Sequence, residues 1–186
     1  MPRAGLDAEA VVAAAAGLAD AEGLGAVTLA RLAGDLGVRS PSLYAHVNGL
    51  PDLRRRLAVR GASELAAELE RAAAGRAGGD ALTAVAHAYR SYAHAHPGTY
   101  AALQRAPARG EEDLAAAAGR AVEVVLAVLR GYGLEGEEAI HAARGLRAAL
   151  HGFVSLEADG GFGLPVALDA SFSRLVEMLD RGLTAA

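Results

Sequence analysis

The sequence predicts an all-α protein, and three observations carry that prediction. Alanine fills 47 of the 186 positions and glycine 23; both are poor strand residues, and alanine is the best helix former. Apolar residues recur three and four apart, the period of a helix with one buried face. Capping and stop residues bracket these runs, as at Asp7, Gly23, Thr28 and Gly37. The expected architecture is about nine helices: a three-helix head in residues 1–50, then a larger bundle in 51–186 entered through a helix over about 51–74.

Composition narrows the function classes. With three Phe, five Tyr and no Trp, the core must be Leu, Val and closely packed Ala. Cysteine is absent, which removes disulfides, thiolate metal sites and Cys nucleophiles and suits a reducing compartment. All 18 basic residues are Arg. The longest strongly apolar stretch, Ala10–Ala19, is ten residues, against the roughly 20 that a membrane-spanning helix needs. Met1-Pro2-Arg3 has no apolar segment behind it, so the reading is a soluble, cytoplasmic chain without a membrane partner. Residues 1–60 carry seven Arg against six acids, whereas 61–186 carry eleven against sixteen. The acidic total argues against polyanion binding over the whole surface and leaves room for a local basic face at the N-terminal end, where Arg54, Arg55 and Arg56 cluster.

The first helix starts at an Asp7 cap, with Leu6 and Val11 as a hydrophobic staple, and stops at Gly23. Val11, Ala14, Ala15 and Leu18 form its apolar face. Thr28 caps the second helix between Val27 and Leu32; Leu29, Leu32, Ala33 and Leu36 are its buried stripe, and Gly37 ends it. Only Gly37, Val38 and Arg39 separate Leu36 from the next cap, Ser40, with Pro41 at the first helical position. That helix runs to Val47 and stops at Asn48-Gly49. Two helices about a short Gly-containing turn make a helix-turn-helix. Leu43 and Val47 would face inward with Val38 as a plug, leaving Arg39, Ser40, Ser42, Tyr44 and His46 outward. Hydrogen-bonding side chains on a short, propped helix are what a major-groove reader needs.

Thr28-Leu29-Ala30-Arg31-Leu32-Ala33-Gly34-Asp35-Leu36-Gly37-Val38, followed by Ser40-Pro41-Ser42-Leu43-Tyr44-Ala45-His46-Val47, resembles the DNA-binding region of the TetR family of transcriptional regulators. The similarity covers roughly residues 5–57. It implies that Thr28 caps its helix against a phosphate and that Arg39, Ser40, Pro41 and Ser42 approach bases or backbone. Tyr44 and His46 would contact phosphate or adjoining base edges; the plainer alternative is that they stabilise the small head. The family's usual Lys near the start of the fourth helix is missing, the segment here being Asn48-Gly49-Leu50-Pro51. That contact is lost, or supplied by the helix N-terminus behind Pro51 or by Arg54 and Arg55.

In the bundle, Gly75–Gly79 reads as a linker and Asp80 as the cap of the fifth helix. Leu82, Val85, Tyr89, Tyr92 and His96 line one of its faces, and Pro97 starts a short sixth helix through Tyr100 and Leu103. Val122, Val125, Leu126 and Leu129 are the expected apolar face of the seventh. The eighth helix spans about Glu135–Glu157, with a small-residue stripe of Gly145, Ala148, Ala149 and Gly152; the ninth spans Asp169 to about Gly182, with Phe172, Leu175, Val176 and Leu179 on one side. The resemblance implies that these last two helices form a homodimer interface through Gly145, Ala149, Gly152, Phe172, Leu175, Val176 and Leu179; the plainer alternative is that these faces pack only within one subunit. It also implies a pocket for a small-molecule effector, for which Tyr89, Tyr92, His96, Tyr100, Arg147, His151 and Phe153 are the polar and aromatic candidates; the plainer alternative for each is ordinary core or interface packing.

Glu138-x-x-His141 has the spacing used by di-iron bundles but lacks the second copy such a site requires. His87, His94 and His96 do not converge as metal ligands on one helix. No phosphate loop or nucleophile elbow is present. The expectation is a ligand-responsive regulator, a repressor binding a palindromic operator on double-stranded DNA as a homodimer, with no enzymatic activity, metal or cofactor. The alternative is a helical ligand-binding or scaffold protein whose head does not bind DNA.

Overall fold

The structure is a computed structural model that describes residues 6–185; Met1-Pro2-Arg3 lies outside them. The described residues form helices α1 (Ala8–Glu22), α2 (Leu29–Asp35), α3 (Ser40–Leu43), α4 (Gly49–Ala73), α5 (Gly78–Ala95), α6 (Pro97–Ala102), α7 (Glu112–Arg130), α8 (Gly136–Ala158) and α9 (Leu168–Thr184), with a single 3-10 turn at Leu24–Ala26. No strand occurs among them. The chain makes two compact units. One joins the chain up to Glu64 with Ala95–Ala118; the other joins Leu65–His94 with the chain from Gly119 onward. Segment 95–118, which in chain order falls inside the expected C-terminal portion, thus packs with the N-terminal helices.

In the first unit the caps act as their residue types predict. The Asp7 carboxylate accepts the Ala10 N–H at 2.7 Å, and Leu6 packs on the same cluster as the fully buried Val11. Gly23, at φ +87°, closes α1, its N–H donating to the Ala19 carbonyl at 2.8 Å. The core gathers Val11, Ala15, Ala19, Val27, Leu32, Leu43, Val47, Leu53, Leu57 and Ala58 with Ala102, Leu114 and Ala117. Helix α6 joins this core through a very close approach to α1. A Cβ added at Gly98 would lie 2.0 Å from the Ala19 carbonyl oxygen. Asp20 completes the junction, accepting the Thr99 N–H at 2.7 Å at the α6 start, with His96 Nδ1 at 3.1 Å. On the other side, a Cβ at Gly61 of α4 would meet Thr99 Cγ2 at 2.9 Å.

In the second unit α5 begins two residues before the expected Asp80 cap, inside the predicted glycine linker. Packing explains the extension: a Cβ at Gly131 would meet the Gly78 backbone nitrogen at 3.1 Å, and one at Gly79 would meet Asp180 Oδ1 at 2.9 Å. The face expected of α7 is also displaced. Leu129 is buried as expected, but Val122 is exposed and Val125 and Leu126 are half-buried, whereas Val124 and Val128 are buried. An apolar-rich helix offers more than one face of suitable spacing, and the neighbours choose among them. No helix among the described residues is long and apolar enough to cross a membrane.

Candidate nucleic-acid interface

One residue sets the turn between α2 and α3. Gly37 has φ +67°, a left-handed conformation that side chains with a Cβ disfavour. Its N–H donates to the Gly34 carbonyl at 3.1 Å, and the Val38 N–H donates to that of Ala33 at 2.9 Å. These paired bonds are a Schellman stop. Val38 then packs on the core, and Leu43 and Val47 are buried beneath the segment that follows. Three apolar anchors therefore hold residues 39–47 down from one side.

The opposite side is polar and outward. Arg39, Pro41, Ser42 and Tyr44 are exposed, and Ser40 and His46 are half-buried. Tyr44 is 60 % exposed, more than a tyrosine used for packing would be. The helical part is shorter than the expected run to Val47. Arg39 is the N-cap instead of Ser40, and only Ser40–Leu43 is regular helix. Past Leu43 the chain tightens, the His46 and Val47 N–H groups both donating to the Leu43 carbonyl, at 2.9 and 3.0 Å. Burial of Val47 draws the end of the segment inward. Thr28 is exposed at the start of α2, its Oγ1 accepting the Arg31 N–H at 3.2 Å, which leaves its own O–H to donate outward.

Ion pairs brace this surface. The Arg31 guanidinium bonds Glu22 at 2.7 and 3.0 Å and Asp35 at 3.1 Å, tying α2 to the end of α1. Asp52 accepts the Asn48 N–H at 3.0 Å, Arg55 at 2.8 Å and Arg56 at 3.0 Å. Burial alone would raise the Asp52 carboxyl, but the Asn48 N–H and the two guanidiniums outweigh it and hold it down at about 2. Arg55 also bonds Asp113, so this expected source of a phosphate contact is turned toward carboxylates of its own chain. The sequence reading missed these braces, although the Arg31–Asp35 and Asp52–Arg56 spacings of four carry the signal for a same-face pair.

The effector candidates fall in both units. Tyr89, Tyr92 and Phe153 are buried in the second, and His151, with Nδ1 3.5 Å from Ser155 Oγ, is half-buried there. Tyr100 is buried and His96 half-buried in the first. Arg147 is exposed, contrary to its expected place near an inward face; a guanidinium is costly to bury and stays in water. Of the dimer candidates, Gly145 is exposed and Ala149, Gly152, Leu175 and Leu179 are half-buried. Phe172 and Val176 correct the expectation, because both are buried within the protomer. The Phe172 ring stands edge-on to Phe153 and His87, with centroids 5.1 and 5.2 Å apart, and the Arg90 guanidinium carbon is 4.9 Å from its centroid. Arg90 is itself held by Glu157 at 2.5 and 2.8 Å and by Asp169 at 2.8 Å, which keeps the Glu157 carboxyl below the usual carboxylate range.

A Schellman-closed turn between short helices, with a polar segment presented outward, defines a helix-turn-helix protein. Comparison with known proteins places it within that class. A profile of the tetracyclin repressor-like C-terminal domain family matches residues 82–179. An uncharacterized HTH-type transcriptional regulator of Mycobacterium tuberculosis is 44% identical over 179 residues, covering 96% of this chain and 82% of that protein. Among solved structures, a protein with unknown function from Rhodococcus sp. RHA1 has the same fold, with TM-score 0.82 at 24% identity over 99% of both chains. ActR of Streptomyces coelicolor, a TetR family protein solved in complex with (S)-DNPA, shares it at TM-score 0.67 and 22% identity over 98% of both chains. The chain belongs to the TetR family of transcriptional regulators.

Proposed function

We propose that this regulator is a repressor that binds a palindromic operator as a homodimer and is released by a small-molecule effector. The observation that carries the DNA-binding part is the segment 39–47. Its apolar residues are buried, and Arg39, Ser42 and Tyr44 stand outward with donors and acceptors suited to base edges and phosphates. Thr28, Ser40, Pro41 and His46 flank them. Two such segments related by a two-fold axis read half-sites about 34–36 Å apart, or a multiple of that spacing.

Helices α8 and α9 supply the second copy's contact. A Cβ at Gly145 or Gly152 would meet nothing within 4 Å, so a partner helix can approach their backbone closely. Ile140, Leu156 and Met178 are exposed apolar side chains on the same two helices. They support an interface built with Ala149, Leu175 and Leu179. For the effector, the complex of ActR with (S)-DNPA supports a family site for small molecules, and within the second unit the buried Tyr89, Tyr92 and Phe153 with the half-buried His151 are the groups to line it. Effector binding favours a dimer in which the two polar segments are mis-spaced, and DNA reciprocally weakens the effector.

Selection of bound duplexes from a random pool tests the reading: a palindrome is the expected product, and a pool without enrichment rejects it. The double change Arg39→Ala, Tyr44→Ala should abolish binding to that palindrome while helicity and dimer mass stay unchanged. Titration of the protein–operator complex with a compound library tests release, and a library that leaves operator affinity unaltered removes support for the effector.

A further inference from the structure

The arginines of the first unit divide into two sets. Among its described residues, Arg31, Arg55, Arg56, Arg60 and Arg105 each have a carboxylate within 3.1 Å: Glu22, Asp52, Asp52 again, Glu64 and Glu111 respectively. Arg39, Arg54 and Arg109 have no carboxylate within ion-pair distance among the described residues. A guanidinium committed to a carboxylate can neutralise a phosphate only by giving up that pair, so exposure by itself does not identify a DNA-facing cation.

Arg54 is singled out within the run Arg54-Arg55-Arg56. Asp52 draws Arg55 and Arg56 to its own flank of α4, and Asp113 takes the remaining face of Arg55. Arg54 is exposed between Leu53 and Leu57, which are fully buried and fix the face that α4 turns inward. It lies within two turns of Gly49, where α4 begins directly after the outward segment. Side chains on a helix lean toward its N-terminus, and an extended arginine reaches back along that rise. Arg109 sits elsewhere, on the loop before α7.

We propose that Arg54 is the phosphate anchor of α4, one contact per protomer, and that Asp52 sorts the three consecutive arginines, holding two as struts and leaving one for DNA. This rests on the reading of the head as a DNA binder. It also assigns the electrostatic contact that the residues before Pro51 do not supply.

The test measures the salt dependence of binding to the selected duplex for the wild-type protein and for Arg54→Ala, Arg54→Lys, Arg55→Ala and Arg109→Ala. Each lost phosphate contact makes the slope of log affinity against log salt shallower by about 0.9. Arg54→Ala should therefore flatten the slope of a dimer by about 2 and weaken binding to matched and mismatched duplexes alike. Arg54→Lys should keep the slope. Arg55→Ala should lower the thermal midpoint with the slope unchanged, and Arg109→Ala should change neither. An unchanged slope for Arg54→Ala, or a flattened one for Arg55→Ala, overturns the assignment while the DNA-binding reading stands. A wild-type protein that selects no duplex overturns both.

Discussion

Single residues decide the geometry of the head. Gly37 at φ +67° places the polar segment, and Gly37→Ala forces a Cβ into the left-handed region at a cost of roughly 1–2 kcal/mol. Chemical denaturation should show that loss, with operator affinity falling because the segment is re-aimed. Thr28→Ala removes the α2 cap at a cost of about 1 kcal/mol. Asp52 gives the head an acid sensitivity. Its folded pKa, about 2, lies below that of an unfolded aspartate, so the unfolded state binds the proton more readily. The stabilisation is complete above the unfolded value, near 4, and fades as pH falls toward 2. Asp52→Asn should lower stability by roughly 1–2 kcal/mol at neutral pH, because a half-exposed arginine pair is worth less than a buried one. The gap between wild type and variant should close between pH 4 and pH 2. The Asp7 and Thr28 caps, the turn glycine and the exposure of Arg39, Ser42 and Tyr44 were legible from sequence, since each depends on residues within four positions. Asp52 and Arg55 were legible only as a same-face pair, because Asp113 comes from 58 residues away.

At the level of elements, the α1–α6 junction is the least legible part of the head. Nothing in Asp20 or Gly98 announces that one will cap the other's helix. Their sequence separation is large, and the contact exists only because glycine lets the α6 backbone sit against the Ala19 carbonyl. Gly98→Ala should destabilise the protein by more than about 3 kcal/mol, above the usual cost of overpacking, because the obstacle is rigid backbone. A thermal melt checks this, and an unchanged midpoint would show that α6 is not seated there. Helix α9 makes the complementary point. Its apolar stripe is expected at a partner, yet Val176 is buried within the chain and Phe172 packs edge-on against His87 of α5 and Phe153 of α8. Phe172→Ala should cost about 3–5 kcal/mol of protomer stability. Denaturation of the protomer should register that loss, whereas a loss confined to dimer mass would return the residue to the interface. Periodicity shows that a face is buried without showing against what.

For the molecule as a whole, specificity in the proposed function depends on two copies acting together. Leu156→Glu with Met178→Glu places like charges on exposed positions of α8 and α9, where the protomer core is untouched. Sedimentation should show a monomer of native helicity, and operator affinity should fall because one short segment makes too few contacts. A dimer that survives the double change moves the interface to another surface. The acidic balance of residues 61–186 disfavours polyanions there, and under the proposed reading the contact falls to Arg39 and Arg54 of the N-terminal helices.

The amino-acid order alone established the all-helical class, the helix-turn-helix with its Asp7 and Thr28 caps, and the exposure of Arg39, Ser42 and Tyr44. Those features arise from backbone propensity, from neighbours within one or two helical turns, and from a 3.6-residue period that any buried face must follow. The tertiary structure decided the membership of segment 95–118 in the head, the buried register of α7, the enclosure of Phe172, and which arginines are already bound to acids. Each of these depends on which distant surface a helix meets, and an alanine-rich helix presents several faces that could meet one.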